Sequence, residues 1–107
     1  MVTIENIMNA LANKVRLRIV NLLLEQELCV CNIQSILKMT EPRISRHLFI
    51  LRQANLIECR RDGKWCYYHI KSPIHSMFAV LMPYFKKEKI YIGDLKNISA
   101  NQDACKI

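Results

Sequence analysis

The sequence has little glycine and little proline, with only two glycines and three prolines in 107 residues. So few glycines exclude the glycine-rich loops that cradle phosphate groups in nucleotide-binding enzymes. The sequence contains neither a Ser/His/Asp arrangement nor a spaced pair of carboxylates that would suggest a hydrolytic site. No window reaches the roughly 18 apolar residues that a membrane-spanning helix needs. We therefore expect neither an enzyme nor a membrane protein, and no organic cofactor.

Acidic residues are outnumbered: sixteen Lys and Arg stand against nine Asp and Glu, a formal net charge of +7. This charge suits a polyanionic partner, although a solvated basic surface has the same composition. The N-terminus has no basic segment followed by an apolar stretch and a small-residue cleavage site, so we expect a cytoplasmic protein. The five cysteines are an odd number, and in a reducing compartment thiols are more often metal ligands, redox centres or buried small side chains than structural disulfides.

Apolar residues at helical spacing predict about five helices in one domain, with Asn13 as the N-cap of the second. The third and fourth helices are separated by the short break Thr40-Glu41-Pro42. Proline fits only the first turn of the helix that follows, so that helix should start at Pro42 with Thr40 or Glu41 as its cap. Two helices joined in this way are typical of a helix-turn-helix. The fourth helix is expected to end near Ala54 and to bury Ile44, Leu48 and Leu51.

Asp62-Gly63 stands between two β-prone segments, which is the strongest local signal for a β-hairpin. As a two-residue loop it would place Cys59 opposite Cys66 and Ile57 opposite Tyr68. A hairpin with a basic tip directly after a recognition helix is a wing, although such charges can also serve only to protect a sheet edge. Alternation predicts a buried face of Ile57, Cys59, Cys66, Tyr68 and Ile70 and a tip that carries Arg60, Arg61 and Lys64.

Ser72-Pro73 predicts the start of a fifth helix, and Pro83 within it predicts a kink or a restart. Beyond Lys86 the apolar periodicity weakens and the chain is rich in Lys and Asn. We therefore predict a DNA-binding and dimerisation domain over residues 1–92 and a flexible C-terminal tail over residues 93–107.

A series of spaced motifs runs through the chain: Leu11-Ala12-Asn13, Arg16-Leu17-Arg18-Ile19, Glu27-Leu28-Cys29-Val30-Cys31, Pro42-Arg43-Ile44-Ser45-Arg46-His47-Leu48, Asp62-Gly63-Lys64-Trp65 and Tyr67-Tyr68. In this order they resemble the ArsR/SmtB family of bacterial metal-responsive repressors, over roughly residues 4 to 85. The Cys-Val-Cys segment resembles the arsenite-responsive branch. The resemblance implies a mainly α, winged helix-turn-helix repressor with a β-hairpin wing. It also implies a homodimer through the first and fifth helices, which leaves double-stranded operator DNA when As(III) or Sb(III) binds.

The predicted recognition helix carries four polar residues near its N-terminus, the end that enters the major groove in this motif. Arg43 fits a guanine edge, Ser45 and His47 fit bases or phosphate, and Arg46 fits phosphate. An ordinary solvated helix face is the alternative. Together with the wing, the predicted DNA-binding set is Arg43, Ser45, Arg46, His47, Arg60, Arg61 and Lys64.

Cys29 and Cys31 form the candidate metal site. Side chains two residues apart point to nearly opposite sides of a regular helix, so both can serve one site if Cys29 is still extended and Cys31 opens the helix. The resemblance implies As(III) or Sb(III) as the bound ion. Paired thiolates bind soft ions in general, so Cd(II) and Pb(II) are alternatives. The arsenite-responsive pattern commonly has a third cysteine where Gln34 stands here. A third ligand must then come from Cys105, a small thiol or solvent. The alternative to a metal site is that Cys29 and Cys31 are simply two small buried side chains.

Cys59 and Cys66 form a second candidate pair, because the predicted register places them opposite each other. A reversible disulfide between them would make the protein a thiol-redox or persulfide-responsive repressor. Two small residues packed under the hairpin are the alternative. The predicted fifth helix offers only His75 as an imidazole ligand, so a zinc site is not expected there.

Overall fold

The structure is a computed structural model that describes residues 2–100. The fold is mainly α and contains one small antiparallel sheet, two strands of which form a β-hairpin. The elements in chain order are α1 (Ile4–Leu11), α2 (Lys14–Glu25), β1 (Leu28–Cys29), α3 (Val30–Leu37), α4 (Glu41–Gln53), β2 (Ile57–Asp62), β3 (Trp65–Ile70), a 3-10 turn (Ser72–Ile74), α5 (His75–Ala79), α6 (Met82–Phe85) and α7 (Lys89–Ala100).

Polar side chains set the starts of the first two helices. Thr3 Oγ1 accepts a hydrogen bond from Asn6 N at 3.1 Å, and Asn6 Oδ1 accepts one from Thr3 N at 3.2 Å, which forms a capping box at α1. Asn13 Oδ1 accepts hydrogen bonds from Val15 N at 3.0 Å and Arg16 N at 3.2 Å. The predicted cap of α2 is therefore confirmed.

Helices α3 and α4 are separated by residues 38–40, as the helix-turn-helix prediction requires. Helix α4 begins at Glu41, one residue before the predicted start, with Thr40 at the N-cap and Pro42 in the first turn. Proline is tolerated there because the first turn has no intrahelical partner for its missing N–H. The predicted buried face of α4 is confirmed and consists of Ile44, Leu48 and Leu51.

The sheet has the strand order β1-β3-β2. The hairpin loop is Gly63-Lys64 rather than Asp62-Gly63, because Asp62 pairs with Trp65 at the end of the ladder. Gly63 has φ +61°, and a tight turn of the II′ type places such a residue first in the loop. The predicted register is therefore wrong by two residues. A shift of two preserves the alternation, so the predicted shared face is retained: Ile57, Cys59, Cys66, Tyr68 and Ile70.

The predicted fifth helix is divided into the 3-10 turn, α5 and α6, with the expected restart between Ala79 and Met82. Residues 93–100, which the sequence placed in a flexible tail, form the greater part of α7. This expectation is corrected because Asp94 and Ile98 are buried in the fold. Because the predicted fifth helix is divided into α5 and α6 and α7 is additional, residues 2–100 contain seven α-helices, whereas about five were predicted.

Buried side chains of α2, α3 and α4 meet those of the sheet and of the C-terminal helices in one core. Helix α7 packs against both α2 and α3. None of the helices within residues 2–100 is long and apolar enough to cross a membrane. The large side chains buried most completely are Ile19, Val20, Leu22, Ile33, Ile44, Leu48, Leu51, Leu56 and Phe78.

Candidate functional site

The N-terminal half of α4 turns a polar face to solvent. Arg43 and Arg46 are exposed, whereas Ser45 and His47 are half-buried. Ser45 Oγ donates a hydrogen bond to Glu41 Oε1 at 3.0 Å. Three of the four predicted recognition residues, Arg43, Arg46 and His47, therefore lie beside one another, whereas Ser45 bonds within its own helix. A shallow hollow of about 380 Å³ opens on this face, lined by Pro42, Arg43, Arg46 and His47.

Arg16 connects this face to the first two helices. Its Nε donates a hydrogen bond to the carbonyl of Ala10 at 2.6 Å, and its Nη2 donates one to the carbonyl of Asn9 at 3.3 Å. These carbonyls belong to the last turn of α1, where the negative end of the helix dipole favours a cation. Arg16 Nη1 lies 3.3 Å from His47 Nδ1. Arg16 is not among the residues predicted to contact DNA, because its partner is 31 positions away along the chain and no local pattern connects the two.

The surroundings of His47 favour the neutral form of its imidazole. Burial lowers the pKa of His47 below its ordinary value of 6.5, and the positive charges of Arg16, Arg43 and Arg46 lower it further. At neutral pH the ring therefore acts as a hydrogen-bonding group without charge. The positive charge of this face comes from the arginines.

Phe49 lies on the solvent side of α4 and is 60% exposed. Phe49 lies outside the buried stripe of the same helix, and this spacing is a sequence signal that could have identified it. An apolar ring on a recognition helix fits contact with thymine methyl groups. Phe49 is therefore an additional candidate for the interface.

The wing does not present its basic residues equally. Arg60 pairs with Glu27 through two hydrogen bonds, one of them from Nε to Oε2 at 3.3 Å, and its guanidinium lies 5.0 Å from the Tyr67 ring centroid. The hydrogen bond from Arg60 lowers the pKa of Glu27. Arg61 and Lys64 are exposed. Two of the three predicted wing cations are thus open to a polyanion, while a carboxylate holds the third.

Cys29 and Cys31 lie at the junction of β1 and α3. Cys29 ends the strand and is the N-cap of the helix, with an extended backbone at φ −86° and ψ 166°. Cys31 is in the first turn, and the helix begins at Val30. This is close to the arrangement that lets an i, i+2 pair serve one site, with the helix starting one residue before Cys31.

The two thiols differ in exposure, since Cys29 is only 3% exposed and Cys31 is half-buried. Cys29 Sγ donates a hydrogen bond to Asn32 Oδ1 at 2.8 Å, and Cys29 N lies 3.4 Å from the same oxygen. One side-chain amide thus holds both the thiol and the backbone at the start of α3. Within the described part of the chain, no three His, Cys, Asp or Glu residues are grouped so that they could hold a metal ion. Cys105, the predicted third ligand, lies outside the described residues.

A disulfide joins Cys59 and Cys66 across the hairpin, with their Cα atoms 6.1 Å apart. They are diagonal neighbours rather than directly opposite, because Cys59 pairs with Tyr68 and Cys66 with Arg61. Both side chains remain on one face of the sheet, and the Cα separation is within the normal range for a disulfide.

The sheet connects the free thiols to the wing. Strand β1 pairs with β3 in an antiparallel register, with Leu28 opposite Tyr68 and Cys29 opposite Tyr67. Cys29 is therefore both paired with the wing strand and positioned at the N-cap of α3.

Comparison with known proteins agrees with this arrangement. Residues 13–58 match the family described as "Bacterial regulatory protein, arsR family". The arsenical resistance operon repressor of Escherichia coli K12 is 42% identical over 73 residues, which cover 67% of this chain and 62% of that protein. An arsenic resistance transcriptional regulator of Pseudomonas putida is 34% identical over 87 residues, which cover 77% of this chain and 76% of that protein. This chain thus spans less than two thirds of the Escherichia coli repressor.

Among solved structures, the homodimeric winged helix-turn-helix DNA-binding domain of a possible ArsR-family transcriptional regulator from Mycobacterium bovis has a similar fold. The TM-score is 0.71 at 30% identity, and the match covers 78% of this chain and 79% of that one. The matched segment includes β1 and α3, which carry the thiol pair, and α4, which carries the basic face. The chain therefore belongs to the arsR family of bacterial regulatory proteins.

Proposed function

We propose that this protein is a homodimeric repressor that occupies operator DNA in the cytoplasm and releases it when trivalent arsenic or antimony binds Cys29 and Cys31. The observation that carries the proposal is the position of Cys29, which ends β1, caps α3 and pairs with the wing at Tyr67. Occupation of this residue would act on the helix-turn-helix and the wing together. The arsenical relatives support the class of effector.

The DNA contacts are proposed to come from α4 and the wing. Arg43, Ser45 and His47 would contact base edges or phosphate, and Arg46 would bind phosphate. The exposed wing cations would add phosphate or minor-groove contacts, so affinity should fall steeply with salt. The wing residues in this set are Arg61, Lys64 and, when it leaves Glu27, Arg60.

Dimerisation is proposed through α1 and the α5–α6 segment, which replaces the single fifth helix expected from the sequence. Both carry large apolar side chains at the surface, which a second copy of the chain would cover. The homodimeric mycobacterial domain supports dimerisation as such. Sedimentation of the purified protein at micromolar concentration tests it, and a monomer at that concentration would contradict it. The exposed side chains are Ile4 and Met8 on α1, Val80, and Tyr84 on α6.

The thiol pair fits a soft trivalent ion in part. Two free cysteines at the start of a helix supply two sulfurs, and Cys105, a small thiol or solvent would supply a third donor. Ligation requires deprotonated sulfur, so Cys29 Sγ would cease to donate to Asn32. Helix α3 would lose a hydrogen bond at its first turn, and α4 packs directly on α3. A coupling of about 1 to 3 kcal/mol, or roughly 5- to 150-fold in affinity, would suffice for release.

The test begins with duplexes selected from a random library by the purified full chain under reducing conditions. Fluorescence anisotropy then measures affinity for a selected duplex with arsenite, antimonite, Cd(II) or Pb(II). Arsenite or antimonite should release the wild type but not the Cys29→Ser/Cys31→Ser variant. The matched control is Cys59→Ser/Cys66→Ser, which loses two thiols elsewhere and should still respond. Release of the Cys29→Ser/Cys31→Ser variant by arsenite would refute the site.

A thiol-redox or persulfide-responsive repressor is the second candidate, favoured by the Cys59–Cys66 disulfide on the wing. Oxidation of the two thiols by peroxide forms the S–S bond, and peroxide accepts two electrons and two protons to become water. Intact mass after peroxide or polysulfide treatment, with the DNA affinity of each product, tests this candidate. A third outcome, DNA binding that responds to no ion and no oxidant, would indicate a DNA-binding protein without an effector.

A further inference from the structure

A hydrogen bond joins Arg16 of α2 to the imidazole of His47 on α4. A guanidinium has only donors, so with Nη1 at 3.3 Å the ring nitrogen Nδ1 must be the acceptor. A neutral imidazole whose Nδ1 accepts carries its hydrogen on Nε2. The contact therefore selects one of the two neutral tautomers and leaves Nε2–H as a donor.

The position of the guanidinium is fixed by contacts on its other side. Arg16 also donates to the carbonyls of Ala10 and Asn9, so it cannot turn from His47 without losing bonds to the end of α1. His47 in turn lines the hollow on α4 beside Arg43 and Arg46. Since Nδ1 is occupied by Arg16, Nε2 is the ring nitrogen left for a partner across this hollow.

We propose that Arg16 is a positioning residue for DNA recognition, which fixes His47 as a neutral Nε2–H donor to an acceptor atom of the operator. This inference rests on the proposed DNA-binding function. In the major groove, guanine N7 and O6, adenine N7 and thymine O4 are acceptors, whereas adenine N6 and cytosine N4 are donors. An uncharged donor of fixed direction distinguishes these groups, while an imidazolium would mainly add attraction to any phosphate.

Acidification should protonate His47 and break its hydrogen bond with Arg16. The charged groups that face His47 are Arg16 from α2 and Arg43 and Arg46 from α4, and all are cationic. A second ring hydrogen would place Nδ1–H against the guanidinium donor, which breaks the contact. As the pH falls through the lowered pKa of His47, the ratio of affinities for a selected and a random duplex should fall, while affinity for the random duplex rises.

Imidazole ¹⁵N spectra of the full chain with labelled histidine, recorded from about pH 5 to pH 8, test the tautomer without DNA. His47 is assigned by its loss in the His47→Gln variant. The wild type should show the Nε2–H tautomer and a pKa below 6.5, and Arg16→Met should show mixed tautomers and a higher pKa. An Nδ1–H tautomer in the wild type would overturn the inference.

DNA binding supplies the second readout. The side-chain amide of Gln can donate near the position of Nε2, whereas that of Asn overlaps Nδ1 and does not reach it. His47→Gln should retain the affinity for a selected duplex, while His47→Asn and Arg16→Met should lose about 3- to 10-fold, the value of one hydrogen bond. Arg52→Met, which removes the same charge from the exposed last turn of α4, is the control for Arg16→Met.

The outcomes separate this inference from the function on which it rests. If the wild type selects no duplex, the proposed function fails and the DNA role of Arg16 fails with it. If the wild type selects a duplex but His47→Gln and His47→Asn bind it equally, only the positioning role is refuted. Because His47 is half-buried on the surface of α4, these two variants test the Nε2–H donor, and the wild-type ¹⁵N tautomer tests the Arg16 contact, even if Arg16→Met does not fold.

Discussion

Cys29 lies opposite Tyr67 in the antiparallel pairing of β1 with β3. The guanidinium of Arg60 lies 5.0 Å from the centroid of the same tyrosine ring and pairs with Glu27, two residues before Cys29. The start of α3 and a basic residue of the wing are therefore linked through neighbouring strands and one aromatic side chain. This link connects the proposed effector site directly to the hairpin that we propose contacts DNA.

Replacement of Glu27 by Gln is expected to strengthen DNA binding, because Arg60 loses its carboxylate partner and becomes available to a phosphate. The gain should be about 2- to 5-fold at low salt, the range of an exposed ion pair, and should shrink as salt increases. Anisotropy titration against a selected duplex measures it. Glu25→Gln removes the same charge from an exposed residue of α2, and equal affinities of the two variants would show that Glu27 does not compete for Arg60.

The Glu27–Arg60 pair should also make stability depend on pH in one direction. The hydrogen bond from Arg60 lowers the pKa of Glu27 below its ordinary value of 4.5. Its stabilising effect is therefore present above about pH 4.5 and is lost as the pH falls through the lowered pKa. The difference between the urea midpoints of the wild type and Glu27→Gln should shrink between pH 7 and about pH 3. A difference that stays constant over this interval would argue against the assignment.

Reduction of the Cys59–Cys66 disulfide is expected to destabilise the fold. The bond joins residues with a sequence separation of 7, and the entropy of closing so short a loop corresponds to about 2.5 kcal/mol in the free energy of unfolding. Urea unfolding with and without a reductant measures the effect. The Cys59→Ser/Cys66→Ser variant should unfold identically in both conditions, whereas a wild type insensitive to reductant would contradict the prediction.

Loss of Asp94 is expected to release α7 from the core. Arg18 Nε and Nη2 donate to the two carboxylate oxygens of Asp94 at 2.9 and 3.0 Å, and the Asp94 side chain is 5% exposed. Asp94→Ala should lower the free energy of unfolding by about 2 to 3 kcal/mol, because Arg18 loses charge-assisted bonds in a half-buried setting. Glu88→Ala, which breaks the exposed pair with Lys14, is the control. Equal losses in the two variants would mean that the buried pair contributes no more than the exposed one.

Much of the fold followed from local sequence signals. Asn13 and the break before Pro42 predicted the starts of α2 and α4 within one residue, and helical spacing predicted the buried stripe of α4. The hairpin was also predicted, but its register was not. The register depends on which loop position takes the positive φ, and Gly63 takes the first one. Because alternation repeats every two residues, the predicted residues still share one face, although only Ile57 and Ile70 on it are fully buried.

Helix α7 shows where local periodicity is insufficient. The sequence predicted a flexible tail over most of it, since no strong apolar stripe marks it. The helix is held by Asp94 on Arg18 and by the carbonyl of Tyr91, which accepts a hydrogen bond from Asn21 Nδ2 at 3.1 Å. These partners are 76 and 70 positions apart, so no pattern within a short window reveals them.

The sequence by itself determined the helix-turn-helix, the hairpin, the thiol pair and the family resemblance, because spacing, caps and turn residues act over a few positions. The tertiary structure alone decided which side chains cooperate. It places Arg16 against His47, holds Arg60 on Glu27 and sets Cys29 beside the wing strand. Each of these contacts joins different elements, and only the packing of those elements around a common core brings the partners within hydrogen-bonding distance.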